Sequence, residues 1–150
     1  MDVGVAMAPP LINALKKRVH QQGLVILDAP PGTNCPVIAA LGDVDYVVLV
    51  TEPTPFGLND LKLAVALVRT LNLPFGVVIN RADSGNDDGG RYCRSEQIDV
   101  LMELPDDRRI AQVYSRGEVI VKSLPEYKDA FKGLLKKIVE SCAAAKEELI

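Results

Sequence analysis

The sequence has no tryptophan, a single histidine, three cysteines and only 5% aromatic residues in 150. Cys35, Cys93 and Cys142 lie far apart and form no Cys-x-x-Cys. A self-contained zinc or iron–sulfur site built from four cysteines is thereby excluded, and no disulfide framework is implied. No apolar run is long enough to span a bilayer. The opening Met1-Asp2-Val3-Gly4 lacks the basic and apolar regions of a secretory signal. An excess of positive charge is missing too: Lys+Arg 17 stand against Asp+Glu 20, a formal net charge of −3. That balance argues against a general binder of nucleic-acid backbone. With 48% hydrophobic and 25% charged residues the composition is that of an ordinary globular chain. A cytoplasmic protein in a reducing compartment is the expectation.

What is present is regular punctuation. Pro9-Pro10 can open a helix, because proline is tolerated in the first turn. Leu11, Ile12, Leu15 and Val19 then fall on one face. Leu24-Val25-Ile26-Leu27 reads as a strand buried on both faces, the pattern of a parallel sheet. A short helix is expected over 35–41, a second buried strand over 46–50, a helix over 58–71 and a third strand over 75–79. A polar, Gly-rich loop over 84–90 follows, then a weak helix over 92–97, a short fourth strand over 100–104 and a helix over 106–114. The tail from Tyr127 reads as a long amphipathic helix with Phe131, Leu134, Leu135, Ile138 and Cys142 on its apolar face. Strands alternating with helices predict an α/β fold, three-layered and doubly wound around a mostly parallel sheet. With no linker, repeat or low-complexity segment, residues 1–150 read as a single piece.

Open α/β sheets bind ligands at the carboxyl ends of their strands. The residues that follow each expected strand are therefore the candidates. Asp28-Ala29-Pro30-Pro31-Gly32-Thr33 follows the first. An acid there can hold Mg²⁺ through water, and Gly32 lets a backbone N–H approach a phosphate; equally, Asp28 can cap a turn. Thr51-Glu52-Pro53-Thr54-Pro55 follows the second, a stiff loop that serves either a ligand or the entry to a helix. Asn80-Arg81 follows the third. Asn can read a base edge and Arg can stack on a ring, or the pair is an Asx-turn and a solvated charge. Pro105-Asp106-Asp107 follows the fourth, and Asp106 or Asp107 can cap the next helix.

Singly these motifs are weak; their order is specific. Together with Ser115-Arg116-Gly117-Glu118, it resembles the second half of a MinD/ParA/Mrp-type P-loop ATPase, the CobQ/CobB/MinD/ParA nucleotide-binding domain. The resemblance runs from about Gly4 to Val121. It is strongest to the MinD-superfamily ATPases that carry an inserted 4Fe-4S ferredoxin domain, through the runs Asp28 to Val37 and Thr51 to Gly57. The resemblance implies ATP and Mg²⁺ as ligands of the complete protein. Asp28 would be the Walker B acid, ordering Mg²⁺ through water. Pro30, Pro31, Gly32 and Thr33 would form switch II. Asn80 would hydrogen-bond adenine with Arg81 beside it, and Pro105 and Asp107 would belong to the loop that closes over the base. Glu52 and Pro53 would form a rim near nucleotide and dimer partner. A 4Fe-4S cluster would sit only in the parent family's insert.

The chain contains no Gly-Lys pair, and so no Walker A run. The expectation is a carboxyl-terminal half of such a domain, unable to hydrolyse ATP by itself. Its partner would be the P-loop half or a second copy, and self-association is expected through an exposed edge strand at 24–27. No nucleic-acid partner and no membrane segment are expected. The alternative is a non-catalytic docking module or truncated paralogue that binds a full-length ATPase.

Overall fold

The computed structural model describes residues 8–18 and 23–147, and these fall into two compact units, 1–44 and 45–150. The first unit holds helices α1 (Ala8–Lys16) and α2 (Cys35–Leu41). Lys16 Nζ donates to the carbonyls of Ala39 (3.4 Å) and Ala40 (3.3 Å), satisfying oxygens that the last turn of α2 leaves free. The face of α1 read from the sequence is not buried: Leu11 and Leu15 are both exposed, and Val19 lies outside the described residues.

The expected strand at 24–27 does not form. Leu24 to Leu27 carry no ladder and are all exposed, Ile26 at 82%. A strand is stabilised by its neighbour's hydrogen bonds and side chains. No described segment pairs with this one, so its apolar run has nothing to specify it as a strand.

The second unit carries the sheet. Strands β1 (Val47–Thr51), β2 (Phe75–Ile79) and β3 (Val100–Glu103) are parallel and lie in that order. Helix α3 (Pro55–Thr70) crosses from β1 to β2, and α4 (Asp88–Ser95) from β2 to β3. Then follow α5 (Arg108–Ser115), α6 (Ile120–Ser123) and α7 (Tyr127–Glu147). Leu61 and Val65 of α3, Val77 and Ile79 of β2, Cys93 of α4 and Ile98 make one buried cluster. On the opposite sheet face Val78 and Leu101 are equally buried. That cover stops at β1. Val48 and Val50, level with Gly76 and Val78, are 36% and 68% exposed. A parallel sheet is normally covered on both faces; among the described residues this one leaves Val50, and part of Val48, uncovered.

Two elements differ from the sequence reading. The Gly-rich stretch expected as loop enters α4 at Asp88, ahead of the expected helix start. Arg91 pairs with Asp88 and Arg94 with Asp87; Gly89 and Gly90 are buried, and a Cβ at Gly90 would run into the Asp87 carboxylate while one at Gly89 would meet nothing within 4 Å. On α7, Phe131, Leu134, Ile138 and Cys142 are half-buried as expected, while Leu135 is exposed.

Candidate functional site

Three loops converge at the carboxyl ends of β1, β2 and β3. The loop after β1 is fixed by local hydrogen bonds. Thr51 Oγ1 donates to the Gly57 carbonyl (3.0 Å), and Thr54 Oγ1 caps α3 by accepting from Gly57 N (2.9 Å). Pro55 in the first turn has no N–H to leave unpaired. Any side chain at Gly57 would run into the Glu52 carbonyl, so glycine is what lets the loop fold this tightly. Glu52 is left half-exposed at the rim. Pro53 is buried under the turn that carries Gly85, whose backbone passes too close to the Pro53 carbonyl to admit a Cβ.

After β2 the ladder continues by one bond, Asn80 N to the Thr51 carbonyl (2.8 Å). Arg81 then takes a left-handed backbone, φ 55°. That conformation is sparsely populated for a residue with a Cβ. It is held by Ser84, whose N–H and hydroxyl both donate to the Arg81 carbonyl (2.9 and 2.7 Å). The turn throws the side chains of Asn80 and Arg81 onto the rim. Asn80 Nδ2 donates to Glu52 Oε1 (3.3 Å). Arg81 is bidentate to Asp106 after β3 (3.1 and 3.2 Å), and its third guanidinium nitrogen lies 3.8 Å from Glu52 Oε2. Asp83 accepts from the backbone N–H of Asp106 (2.6 Å). These side chains are about half exposed, so solvent screens each ion pair. The network sets orientation rather than stability.

Beside it, Ala82, Asp83, Glu103 and Pro105 line a shallow recess of about 300 Å³, the lower end of the size range of small-molecule sites. Pro105 forms one exposed wall.

Asp107 is not among the residues that line this recess. Its carboxylate caps α5 by accepting from Arg109 N (2.8 Å), pairs with the Arg109 guanidinium and accepts from Tyr127 Oη (2.8 Å). Arg109 also reaches Glu126 (2.8 Å), so the start of α7 is tied to the cap of α5. The sequence reading had Asp106 or Asp107 as the cap, a role that does not exclude a ligand contact; the structure makes Asp107 the cap. Asp83 and Asp106 are the members of the rim that the sequence reading did not rank, although both stand in loops it had marked.

The Arg109 guanidinium and N–H, with the Tyr127 hydroxyl, hold the Asp107 carboxyl well below the usual carboxylate range. A depressed folded-state pKa adds stability that is complete above the unfolded value, about 3.9, and disappears as pH falls through the folded value. Asp107→Asn is therefore expected to lower Tm at neutral pH, with the gap to wild type closing steadily below about pH 4. Thermal melts of the two proteins across that range check it; a gap independent of pH would refute the assignment.

Asp28, Pro30, Pro31, Gly32 and Thr33 all lie in the first unit and are all exposed. Gly32 has φ 104°, a conformation open chiefly to glycine. Among the described residues no group of three or more His, Cys, Asp or Glu is placed to hold a metal ion. The cysteines do not fit a cluster: Cys93 is wholly buried in the core, and burial pushes its thiol pKa up. No helix among the described residues is long and apolar enough to cross a membrane.

No family model matches the chain. It is 31% identical over 137 residues to an iron–sulfur cluster carrier protein of Aquifex aeolicus, covering 78% of this chain and 38% of that one. Over 98 residues it is 39% identical to an uncharacterised protein of Methanocaldococcus jannaschii, covering 65% of this chain and 33% of that one. A cytosolic Fe-S cluster assembly factor Nubp1 homolog of Drosophila grimshawi is 28% identical over 142 residues, 79% of this chain and 46% of that one. A plasmid partition protein of Borrelia burgdorferi, solved with AMPPNP bound, superposes with a TM-score of 0.65 at 17% identity, over 90% of this chain and 59% of that one. The fold is thus the α/β fold of a ParA-type P-loop NTPase, and the sequence relatives include iron–sulfur cluster carriers. Both bear out the resemblance to the MinD/ParA/Mrp group. The chain spans about a third to a half of the length of the curated relatives it matches.

Proposed function

We propose that this chain supplies the base-recognising rim of a MinD/Mrp-type ATPase that serves iron–sulfur cluster handling in the cytoplasm. The observation that carries the reading is the tie across three strand ends: Glu52 after β1, Asn80 and Arg81 after β2, and Asp106 after β3. It presents an amide, with a guanidinium beside it, at the place where open α/β sheets take their ligands. Asn80 meets the base edge, Arg81 flanks the ring, and Pro105 walls the recess. Pro53 serves as a buried support, and Asp107 positions the same loop by capping α5. In this reading Asp28 would hold a Mg²⁺ through water, and Pro30 to Thr33 would act as the γ-phosphate switch.

Phosphoryl transfer needs a loop that cradles the phosphates and a lysine to neutralise them. The 150 residues contain no Gly-x-x-x-x-Gly-Lys-Ser/Thr run. A segment bearing that loop, on this polypeptide or on a partner, is accordingly required. It would associate at the uncovered side of β1 and not at residues 24–27, which form no strand.

Calorimetry of the purified chain with Mg-ATP tests the reading. Weak adenine-dependent binding without turnover is the expected result. Asn80→Ala should weaken it about tenfold, the cost of one or two hydrogen bonds to a ligand. Turnover that vanishes in Asp28→Ala would show that the chain makes its own phosphate site. An absence of any adenine-dependent binding would remove Asn80 from the base site.

A further inference from the structure

We infer that the first turn of α7 is a latch on the rim: Tyr127 is a positioning residue that holds Asp107, and its release unlocks the clamp of Asp106 on Arg81. The inference holds whichever ligand the rim takes.

Asp106 and Asp107 are chain neighbours that bond in different directions. Asp106 serves the rim. Its backbone N–H donates to Asp83 (2.6 Å), and its carboxylate accepts from two nitrogens of Arg81 (3.1 and 3.2 Å). Asp107 serves the helices, accepting from Arg109 N and from Tyr127 Oη (2.8 Å each). One planar peptide joins the two residues, and the Asp107 N–H turns back on the Pro105 carbonyl (3.0 Å). Rotation of Asp107 therefore carries Asp106 with it and draws its carboxylate off Arg81.

What opposes that rotation is Tyr127. Arg109 belongs to α5, the helix that Asp107 itself caps, so it moves with Asp107. Tyr127 comes from a different element and is buried. The Arg109–Glu126 pair (2.8 Å) closes over the same junction. Helix α7 is also seated on the sheet away from this point. Lys137 Nζ donates to the Leu101 carbonyl of β3 (2.7 Å), and Ser141 bonds the Tyr46 hydroxyl before β1. The hydroxyl of Tyr127 thus refers the rim loop to a helix fixed elsewhere, through contiguous contacts that are either made or released. Such coupling is reciprocal. A ligand group that takes Arg81 from Asp106 loosens the first turn of α7, and a partner that lifts that turn frees Arg81.

The test is amide hydrogen exchange and side-chain NMR of the ¹⁵N-labelled chain in Tyr127→Phe, which deletes the hydroxyl alone. The Asp106 amide is expected to exchange about tenfold faster, the loss of one hydrogen bond to a charged group from the locked state. The Arg81 Nε–H resonance should move toward that of a free arginine. Ser141→Ala is the control, since it removes one side-chain hydrogen bond from the far part of α7 and should leave both signals unchanged. Asp106 and Arg81 signals that ignore Tyr127→Phe would overturn the latch. Equal responses to Tyr127→Phe and Ser141→Ala would overturn it too, because the effect would then be general loosening of the unit. Adding Tyr127→Phe to Asp107→Ala should change neither signal further; additive effects would show that Tyr127 does not act through Asp107. In the reverse direction, Arg81→Gln is expected to shift the ring resonances of Tyr127, and a ring indifferent to it would refute the coupling.

Discussion

Gly76→Val is expected to lower the Tm of the second unit by about 10 °C, corresponding to about 3 kcal/mol for a unit of this size. Gly76 lies in β2, the central strand, hydrogen-bonded on both sides. A Cβ built there would stand 2.7 Å from Leu101 Cγ and 2.7 Å from the Tyr46 hydroxyl. Neither neighbour can yield freely. Leu101 is 4% exposed and packed on β3, and the Tyr46 hydroxyl hydrogen-bonds Ser141 of α7. Valine would therefore push β3 away from β2 and release α7 from the entry to β1. Its higher strand propensity returns at most about 1 kcal/mol, which overpacking outweighs. Gly133→Ala is the matching control. No atom lies within 4 Å of a Cβ at Gly133 in α7, so alanine there should stabilise by about 1 kcal/mol through helix propensity. Melts of the two variants that moved in the same direction would contradict this account.

The contrast between these glycines marks what the sequence could and could not disclose. The apolar runs at 46–50 and 75–79 announced β1 and β2, but the burial on both faces that such runs imply holds for β2 and fails at Val48 and Val50 of β1. The spacing of Leu61, Val65 and Val68 announced the buried stripe of α3. Asp107 was readable as a cap because Ser, Thr, Asp and Asn have few other reasons to precede a helix. The run Leu24 to Leu27 looked no different from the true strands, yet pairing is a property of two segments and only one is in view. The glycines at 89 and 90 suggested a loop because their tolerance in a helix depends on salt bridges three and seven residues apart along the chain and, at Gly90, on a carboxylate too close for a side chain. In the site, strand-end positions brought Glu52, Asn80 and Arg81 forward together. The clamp by Asp106 and Asp83 was hidden for a plain reason. It joins loops about 25 residues apart, and charges in polar loops are usually solvated.

Val48→Lys with Val50→Lys is expected to convert an associating chain into a monomer while leaving its fold intact. β1 carries the run Val47-Val48-Leu49-Val50, a composition suited to the interior of a sheet, on a strand that among the described residues has a neighbour on one side only. Natural edge strands are guarded by lysine, proline or a bulge, and this one has none within it. Its uncovered valines add apolar surface next to unpaired backbone groups, which is the arrangement that recruits another strand. Two lysines there oppose that recruitment by charge and by the cost of desolvating an ammonium. Because both side chains already face solvent, the stability of the unit itself should change by no more than about 0.5 kcal/mol for each. Sedimentation equilibrium at high concentration reads the outcome against the 16.2 kDa of one chain. Wild type should exceed that mass and the double variant should match it. Ile26→Lys separates the two candidate surfaces, since Ile26 is 82% exposed in the stretch that forms no strand. If Ile26→Lys disperses the oligomer and the β1 pair does not, association runs through residues 24–27 after all. A wild-type chain already at 16.2 kDa would mean that β1 takes no second copy, and the uncovered strand would then be reserved for the polypeptide that brings the phosphate loop. That case is met by adding a P-loop-bearing partner, to which wild type should bind and the double-lysine variant should not.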